Sequence, residues 1–175
     1  MIGKVIKYDV KDINTDLIIP ARYLVNSDSE YLAKHCMEDL DTNFIEKKNK
    51  FDYSVLVAGA NFGCGSSREQ APIALKSAGM KCIIAPSFAR IFFRNAINIG
   101  LPIVELQNIK AITTGDDLEI IFTKGIVKNL SKSIELIFNK IPSFIGEIIS
   151  ADGLVNFARH LILENEEENI SQTSF

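Results

Sequence analysis

The segment SVLVAGANFGCGSSREQ, residues 54–70, decides the fold class. Its first part, residues 54–58, is apolar apart from one serine and has the length of a buried strand. Residues 59–65 are rich in glycine and predict a turn, and residues 68–78 predict a helix that ends at Gly79. A strand, a glycine-rich turn and a helix in this order are typical of a unit that connects two parallel strands.

The chain repeats this alternation immediately afterwards. Residues 82–85 predict a second strand, and residues 88–99 predict a helix with Ser87 as its N-cap and Gly100 at its end. Residues 101–104 predict a third strand. Strands joined through helices in this way are parallel, with right-handed crossovers. The apolar residues of the second helix recur at helical spacing and are expected in the core: Phe88, Ile91, Phe92 and Ile99.

The N-terminal third has weaker patterns. Residues 5–8 and 17–19 predict two short strands. Ser27 and Glu30 form a capping-box pattern, which predicts that a helix begins there. Residues 45–52 are polar and basic and predict a surface loop.

The C-terminal third predicts a hairpin and a helix. The strands of the hairpin are residues 118–122 and 126–130. Residues 144–163 predict a helical segment that is interrupted near Gly153. Residues 164–175 are acidic and polar, and we expect a disordered tail.

Length and charge restrict the class of protein. The 175 residues suit one domain, residues 1–163, followed by the tail. The net charge of −3 and the scattered basic residues argue against nucleic-acid binding. No apolar run approaches the roughly 18 residues of a membrane-spanning helix, and the N-terminus does not have the pattern of a signal peptide. We expect no membrane association.

Cysteine usage argues against a metal centre built by this chain alone. Cys36, Cys64 and Cys82 are widely spaced, and His35 and His160 are far apart in sequence. Zinc and iron–sulfur sites need clustered ligands, so we expect no metal or cofactor on this chain. Free thiols are typical of proteins in the cytoplasm, which is the location that we expect.

The glycine-rich segment carries the chemistry. It follows a predicted parallel strand and precedes a helix, which is where open α/β sheets bind their ligands. It is neither a dinucleotide fingerprint, because Arg68 stands where a third glycine is required, nor a Walker loop, because no Gly-Lys-Ser/Thr triplet is present. Two hydroxyls, Ser66 and Ser67, and one guanidinium remain at a positive helix end. This combination suits a carboxylate.

A purely structural alternative exists for each of these side chains. Ser66 with Glu69, and Ser67 with Gln70, both satisfy the capping-box rule, so the local pattern alone does not separate a cap from a ligand-binding serine. Cys64 has the position of a reactive thiol, but a small packed or loop cysteine is the more frequent case.

Several motifs together resemble the swivelling domain of the aconitase superfamily, and most closely the short small subunits of isopropylmalate dehydratase. The resemblance extends over about residues 4–157. The motifs that carry it are GCGSSRE (63–69), Ala71-Pro72, SFARIF (87–92), Arg94-Asn95, Gly100-Leu101-Pro102, NTDLIIPARYL (14–24), HCME (35–38) and GLVN (153–156).

The resemblance implies a fold and a function. The fold is α/β, a three-layer β/β/α swivelling domain with a parallel central sheet and a smaller antiparallel part. The function is that of a small subunit in a hydro-lyase that isomerises 2-isopropylmalate to 3-isopropylmalate in leucine biosynthesis. A [4Fe-4S] cluster is expected on a separate large subunit, and the isolated chain could form a homo-oligomer. The alternatives are a dimethylmalate, methylmalate (citraconate) or homoaconitate dehydratase subunit, and a non-catalytic binding module.

The resemblance also assigns roles to individual residues. Ser66 is the catalytic base, Arg68 binds a substrate carboxylate, and Ser67 lines the same pocket. The residues expected behind them are Asp16, which holds an active-site arginine, Thr15 and Glu69.

The loop after Pro20 bears on the choice of substrate. In the family that the chain resembles, this loop contacts the side group of the substrate. Val25 and Asn26 carry no positive charge, so we expect them to favour an uncharged apolar group over a third carboxylate.

Overall fold

We describe the fold from a computed structural model. The structure describes the backbone of residues 1–172 and the side chains of residues 1–163. The strands in the described chain are β1 (Ile2–Tyr8), β2 (Tyr53–Ala58), β3 (Cys82–Ala85), β4 (Ile103–Glu105), β5 (Asp117–Ile121), β6 (Ile126–Asn129) and β7 (Ile134–Ile137). The helices are α1 (Thr15–Ile18), α2 (Ser29–Lys34), α3 (Phe44–Phe51), α4 (Gln70–Ser77), α5 (Arg90–Asn98), α6 (Ser143–Ser150) and α7 (Leu154–Gln172).

The strands form one sheet in the order β4-β3-β2-β1-β5-β6-β7. The first four strands in this order are parallel. From β1 onward the pairing is antiparallel. The predicted parallel centre and the predicted hairpin are therefore confirmed, and β7 extends the hairpin by a strand that the sequence patterns had not indicated.

Two apolar cores lie on opposite faces of the parallel strands. The first core packs residues such as Leu56 and Ile83 against the helices. The second packs Val55 and Ile84, from the other face, against residues of the antiparallel strands such as Leu118. The antiparallel half thus curls over the parallel half, because side chains alternate between the faces of a strand. The layers are β/β/α, as predicted.

The predictions for the N-terminal third need correction. Residues 17–19 were expected as a strand, but the chain forms α1 because Asn14 Oδ1 caps it by accepting the Leu17 N–H at 2.9 Å. The cap of α2 is Asp28 and not Ser27; its carboxylate accepts the Tyr31 N–H at 2.8 Å.

The predicted loop at residues 45–52 is also wrong. These residues form most of α3, whose first residue, Phe44, is fully buried. Phe44, together with the partly buried Ile45, packs against the core and holds a helix that is otherwise mostly polar, and the local pattern did not indicate this.

The central helices begin later than expected. Helix α4 starts at Gln70 and α5 at Arg90, each two residues after the predicted start. Ser87 does not cap α5; its Oγ instead accepts the Asn61 N–H at 2.9 Å and so joins two loops. Ile91, predicted in the core, is 49% exposed. The third predicted strand, at residues 101–104, is observed as β4, which begins two residues later, at Ile103.

The C-terminal helices are separated at Gly153, as predicted, where the backbone has a φ of +120°. The predicted domain boundary after residue 163 falls within α7. The side chains of the predicted tail and residues 173–175 lie outside the described residues, so its disorder stays a prediction. Among the described residues, no helix is long and apolar enough to cross a bilayer.

Asp116 is a buried carboxylate before β5, and it carries a stability prediction. It accepts hydrogen bonds from Asn129 Nδ2 at 2.6 Å and from the Thr113 N–H at 2.8 Å, and it lies 2.8 Å from Lys132 Nζ. We expect Asp116→Asn to lower the free energy of unfolding by about 1–3 kcal/mol at neutral pH, because the buried amide of Asn129 and the ammonium of Lys132 then lose the charge that they bind. Urea unfolding measures this, with Asp117→Asn as the control.

The effect should depend on pH. Burial by itself raises the pKa of the Asp116 carboxyl, but hydrogen bonds from Lys132, Thr113 and Asn129 outweigh burial and lower the pKa to about 2. The pKa in the folded state is thus below the ordinary value of 3.8, so the stabilisation is complete above this value and is lost as the pH falls towards 2. The difference in the free energy of unfolding between wild type and Asp116→Asn should therefore become smaller as the pH falls from 3.8 towards 2. A constant difference would contradict the assignment.

Candidate functional site

Three loops meet at the carboxyl ends of β1, β2 and β3. The loop after β1 bonds to the loop after β2, since the Thr15 N–H donates to Cys64 O and the Gly63 N–H donates to Ile13 O, both at 2.8 Å. The loop after β2 bonds in turn to the loop after β3, because the Phe62 N–H donates to Ser87 O at 3.1 Å. Parallel strands end at the same edge of the sheet, which brings these loops together.

The middle loop, residues 59–67, is called the glycine loop below. At Gly63 the backbone has a φ of +77°, and a Cβ at this position would lie 2.2 Å from the ring of Phe92. Only glycine fits where the loop crosses α5. The loop is therefore held close against the helix layer.

Ser66 and Ser67 are exposed at the end of the glycine loop. Neither is a helix cap, because α4 begins after Glu69 and its cap makes no side-chain hydrogen bond. Within the described part of the chain, neither hydroxyl has a hydrogen-bond partner. The capping alternative is therefore wrong in this structure, and both hydroxyls are available to a ligand.

Arg68 is held in place beside them. Its side chain is 16% exposed, and Nη1 donates to Asp16 Oδ1 at 2.6 Å and to Ile19 O at 3.4 Å. No hydrogen bond from Nη2 or Nε occurs within the described residues. A guanidinium carries five N–H donors, so this one retains a free edge that suits a carboxylate. The structure thus brings together Arg68 and Asp16, which are 52 residues apart.

The other residues predicted at the site occupy different positions. Thr15 is buried, and its N–H donates to Cys64 O in the glycine loop. Glu69 is exposed. Val25 is 88% exposed in the loop after a 3₁₀ turn (Ala21–Tyr23), and Asn26 accepts the Asp28 N–H at 2.9 Å. In the described chain no hydrogen bond joins Val25 or Asn26 to Ser66 or Arg68.

A polar and aromatic cluster at the base of this loop was not found from the sequence. The rings of Tyr23 and His35 stack with centroids 3.7 Å apart. Glu38 bonds to both, at 2.8 Å from Tyr23 Oη and 2.8 Å from His35 Nδ1, and hydrogen bonds from His35 and then Tyr23 hold the pKa of its carboxyl below the usual value. Arg22 is paired with Asp39 at 2.6 Å. The motifs HCME and NTDLIIPARYL were the available signal, but they do not reveal that their side chains meet.

The cysteines do not form a reactive or metal-binding group. Cys36 and Cys82 are buried, and burial raises the pKa of each thiol. Cys64 is partly exposed, and burial followed by the nearby charge of Asp12 raises its pKa as well. Among the described residues, no three His, Cys, Asp or Glu side chains lie together in a way that could hold a metal ion. The donors of the described chain do not fit an iron–sulfur cluster.

Comparisons with known proteins agree with this geometry. The aconitase C-terminal domain family matches residues 4–108. The 3-isopropylmalate dehydratase small subunit of Caldicellulosiruptor saccharolyticus is 56% identical over 158 residues, which cover 90% of this chain and 90% of that protein. The corresponding subunit of Clostridium beijerinckii is 54% identical over 159 residues, covering 90% of this chain and 97% of that one. The chain belongs to the 3-isopropylmalate dehydratase small-subunit family.

A solved structure supports the same family. The crystal structure of 3-isopropylmalate dehydratase (leuD) from Methanocaldococcus jannaschii superposes with a TM-score of 0.87 at 44% identity, covering 96% of this chain and 99% of that chain. The resemblance and the fold class expected from the sequence are therefore confirmed. Membership in a small-subunit family also implies a large-subunit partner.

Proposed function

We propose that this chain is the small subunit of a cytoplasmic hydro-lyase that converts 2-isopropylmalate to 3-isopropylmalate, a step of leucine biosynthesis. The observation that carries the proposal is that Asp16 holds Arg68 with one edge of its guanidinium free, two residues after Ser66, whose hydroxyl has no hydrogen-bond partner among the described residues. The names of the relatives supply the substrate.

The chemistry requires a base and a carboxylate-binding group. The C–H next to one carboxylate loses its proton to Ser66, a carbon–carbon double bond forms, and hydroxide leaves the neighbouring carbon. Water then adds with the positions of hydroxyl and hydrogen exchanged, so the overall reaction is an isomerisation. In our proposal a [4Fe-4S] cluster on the large subunit supplies the Lewis acid for departure of the hydroxide.

Ser66 acts as an alkoxide, which is very basic in water. Its charge needs stabilisation by nearby donors. The N–H group of Ser67 has no backbone acceptor among the described residues, and the guanidinium of Arg68 follows directly. Arg68 also holds the substrate carboxylate through parallel hydrogen bonds, with Ser67 lining the same pocket. The contacts of Arg68 and Ser67 with the substrate keep the reacting C–H within reach of Ser66.

The test is an anaerobic assay of the chain co-expressed with its large subunit. The panel contains 2-isopropylmalate, dimethylmalate, methylmalate and homocitrate. We expect the complex to turn over 2-isopropylmalate fastest, and we expect the small chain alone to be inactive and colourless after iron–sulfur reconstitution. Faster turnover of another diacid identifies a different dehydratase. No turnover by a cluster-loaded complex supports a non-catalytic module.

Val25→Arg tests the specificity part of the proposal. We propose that Val25 and Asn26 contact the side group of the substrate and exclude a third carboxylate. A carboxylate against Val25 loses hydration without gaining a partner, whereas methyl groups gain about 0.8 kcal/mol per buried CH₂-sized group. The substitution should lower kcat/KM for 2-isopropylmalate by about tenfold and raise it for homoaconitate-type triacids. Val10→Arg, at another exposed valine, is the control. If the ratio of kcat/KM between the two kinds of substrate did not change, residues other than Val25 would determine the selectivity.

A further inference from the structure

Thr15 is a buried residue whose hydroxyl has no partner in the part of the chain that the structure describes. It is 1% exposed, and Oγ1 makes no hydrogen bond within the described chain. The main chain of the same residue is fully bonded, since its N–H donates to Cys64 O at 2.8 Å and its carbonyl accepts the Ile19 N–H at 2.9 Å. The position of Thr15 is therefore fixed, and its hydroxyl alone remains unpaired.

This hydroxyl faces the glycine loop. A Cβ built on Gly65 would lie 3.4 Å from Thr15 Oγ1, so the main chain of the loop passes beside the hydroxyl with no side chain between them. The N–H groups of Gly65 and Ser66 have no backbone acceptor among the described residues. The Thr15 hydroxyl thus lies beside a stretch of main chain whose N–H groups have no backbone acceptor among the described residues.

A buried hydroxyl without a partner needs an explanation. Such groups are rare in folded proteins, because a buried hydroxyl loses its hydrogen bonds to water and gains no protein partner in return. Valine has the same shape and would avoid this penalty. The position of Thr15 supplies a reason for the hydroxyl: its neighbour Asp16 holds Arg68, and the loop beside it carries Ser66.

We propose that Thr15 is a positioning residue whose hydroxyl accepts a hydrogen bond from the Gly65–Ser66 main chain in the assembled enzyme and so holds Ser66 at the distance needed for proton abstraction. The inference rests on the proposed function, because it takes Ser66 as the reacting group. One short helix, α1, then sets both the base and the carboxylate-binding arginine. Displacement of a reacting group by about 1 Å can cost about 10²-fold in rate.

The experiment compares Thr15→Val with Thr15→Ser in the purified two-subunit complex. The readouts are kcat and KM for 2-isopropylmalate, the melting temperature, and the hydrogen–deuterium exchange of a peptide that contains Gly65 and Ser66. We expect Thr15→Val to lower kcat about tenfold, with KM within about twofold and a melting temperature of the complex that falls by no more than a few degrees, because one hydrogen bond contributes about 1 kcal/mol. Exchange in the loop peptide should be several-fold faster. Thr15→Ser should restore both kcat and exchange.

Thr123→Val makes the same chemical change at an exposed turn between β5 and β6 and should leave kcat and loop exchange unchanged. If Thr15→Val prevents assembly, Thr15→Ala provides the comparison. Wild-type kcat and loop exchange in Thr15→Val would overturn the inference. Faster loop exchange in Thr15→Val would still support the contact between Thr15 and the loop if the wild-type complex turned over no diacid. The absence of turnover would then contradict the proposed function alone.

Discussion

Replacing Ser66 by alanine should reduce kcat of the assembled enzyme by at least about 10²–10⁴-fold, the usual range for loss of a general base. The protein should fold and assemble normally, because Ser66 is exposed and its hydroxyl makes no hydrogen bond in the described chain. Turnover of 2-isopropylmalate, the melting temperature and co-purification with the large subunit measure the three effects separately.

Two serine variants serve as comparisons. Ser77→Ala, at an exposed position at the end of α4, should leave kcat unchanged. Ser67→Ala should raise KM more than it lowers kcat, because we assign Ser67 to the pocket and not to proton transfer. If Ser66→Ala retained more than a tenth of wild-type kcat, Ser66 would not be the base.

The parallel centre of the fold could be predicted because its signals are local. A buried strand followed by a helix occurs twice within about fifty residues, and each helix is followed by a glycine with positive φ, Gly79 or Gly100. The gap between α6 and α7 was found for the same reason, at Gly153. Tertiary packing rarely changes the secondary structure that short-range patterns of this kind indicate.

The errors occur where tertiary contacts or competing local caps decide the secondary structure. Residues 17–19 look like a strand, but the Asn14 cap makes them part of a helical turn. Helix α3 looks like a loop because burial of Phe44, and not a stripe of apolar residues, anchors it. Ser87 has the sequence position of a cap, yet its hydroxyl bonds to the loop at Asn61. Each of these outcomes depends on a partner distant in sequence or on competition between neighbouring polar groups.

The candidate site was predicted in part. Ser66, Ser67 and Arg68 are adjacent in sequence, so a single motif indicates them together. The family resemblance indicated only that Asp16 holds an active-site arginine. The structure identifies this arginine as Arg68, which no local pattern could do because the two residues lie in different loops. The cluster of Tyr23, His35 and Glu38 was missed, since stacking between a 3₁₀ turn and the end of α2 depends on three-dimensional packing.

Arg68→Lys should lower kcat/KM for 2-isopropylmalate by about 10²-fold, mainly through a higher KM. Lysine keeps the charge but not the planar fork that binds a carboxylate through two parallel hydrogen bonds. Hydrogen bonds to charged groups contribute about 1.5–3 kcal/mol each, which is consistent with a loss of this size. Arg159→Lys, at an exposed position on α7, is the control and should behave as wild type.

The stability of the variant separates substrate binding from a structural role. Asp16 is 53% exposed, and ion pairs at such positions contribute little to folding, so the melting temperature of Arg68→Lys should change by no more than a few degrees. Asp16→Asn should lower kcat/KM about tenfold, because the guanidinium then loses the partner that orients it. If Arg68 binds substrate and Asp16 acts through it, Asp16→Asn should have little further effect in the Arg68→Lys background. If the two substitutions lowered kcat/KM additively on a free-energy scale, the two residues would act independently.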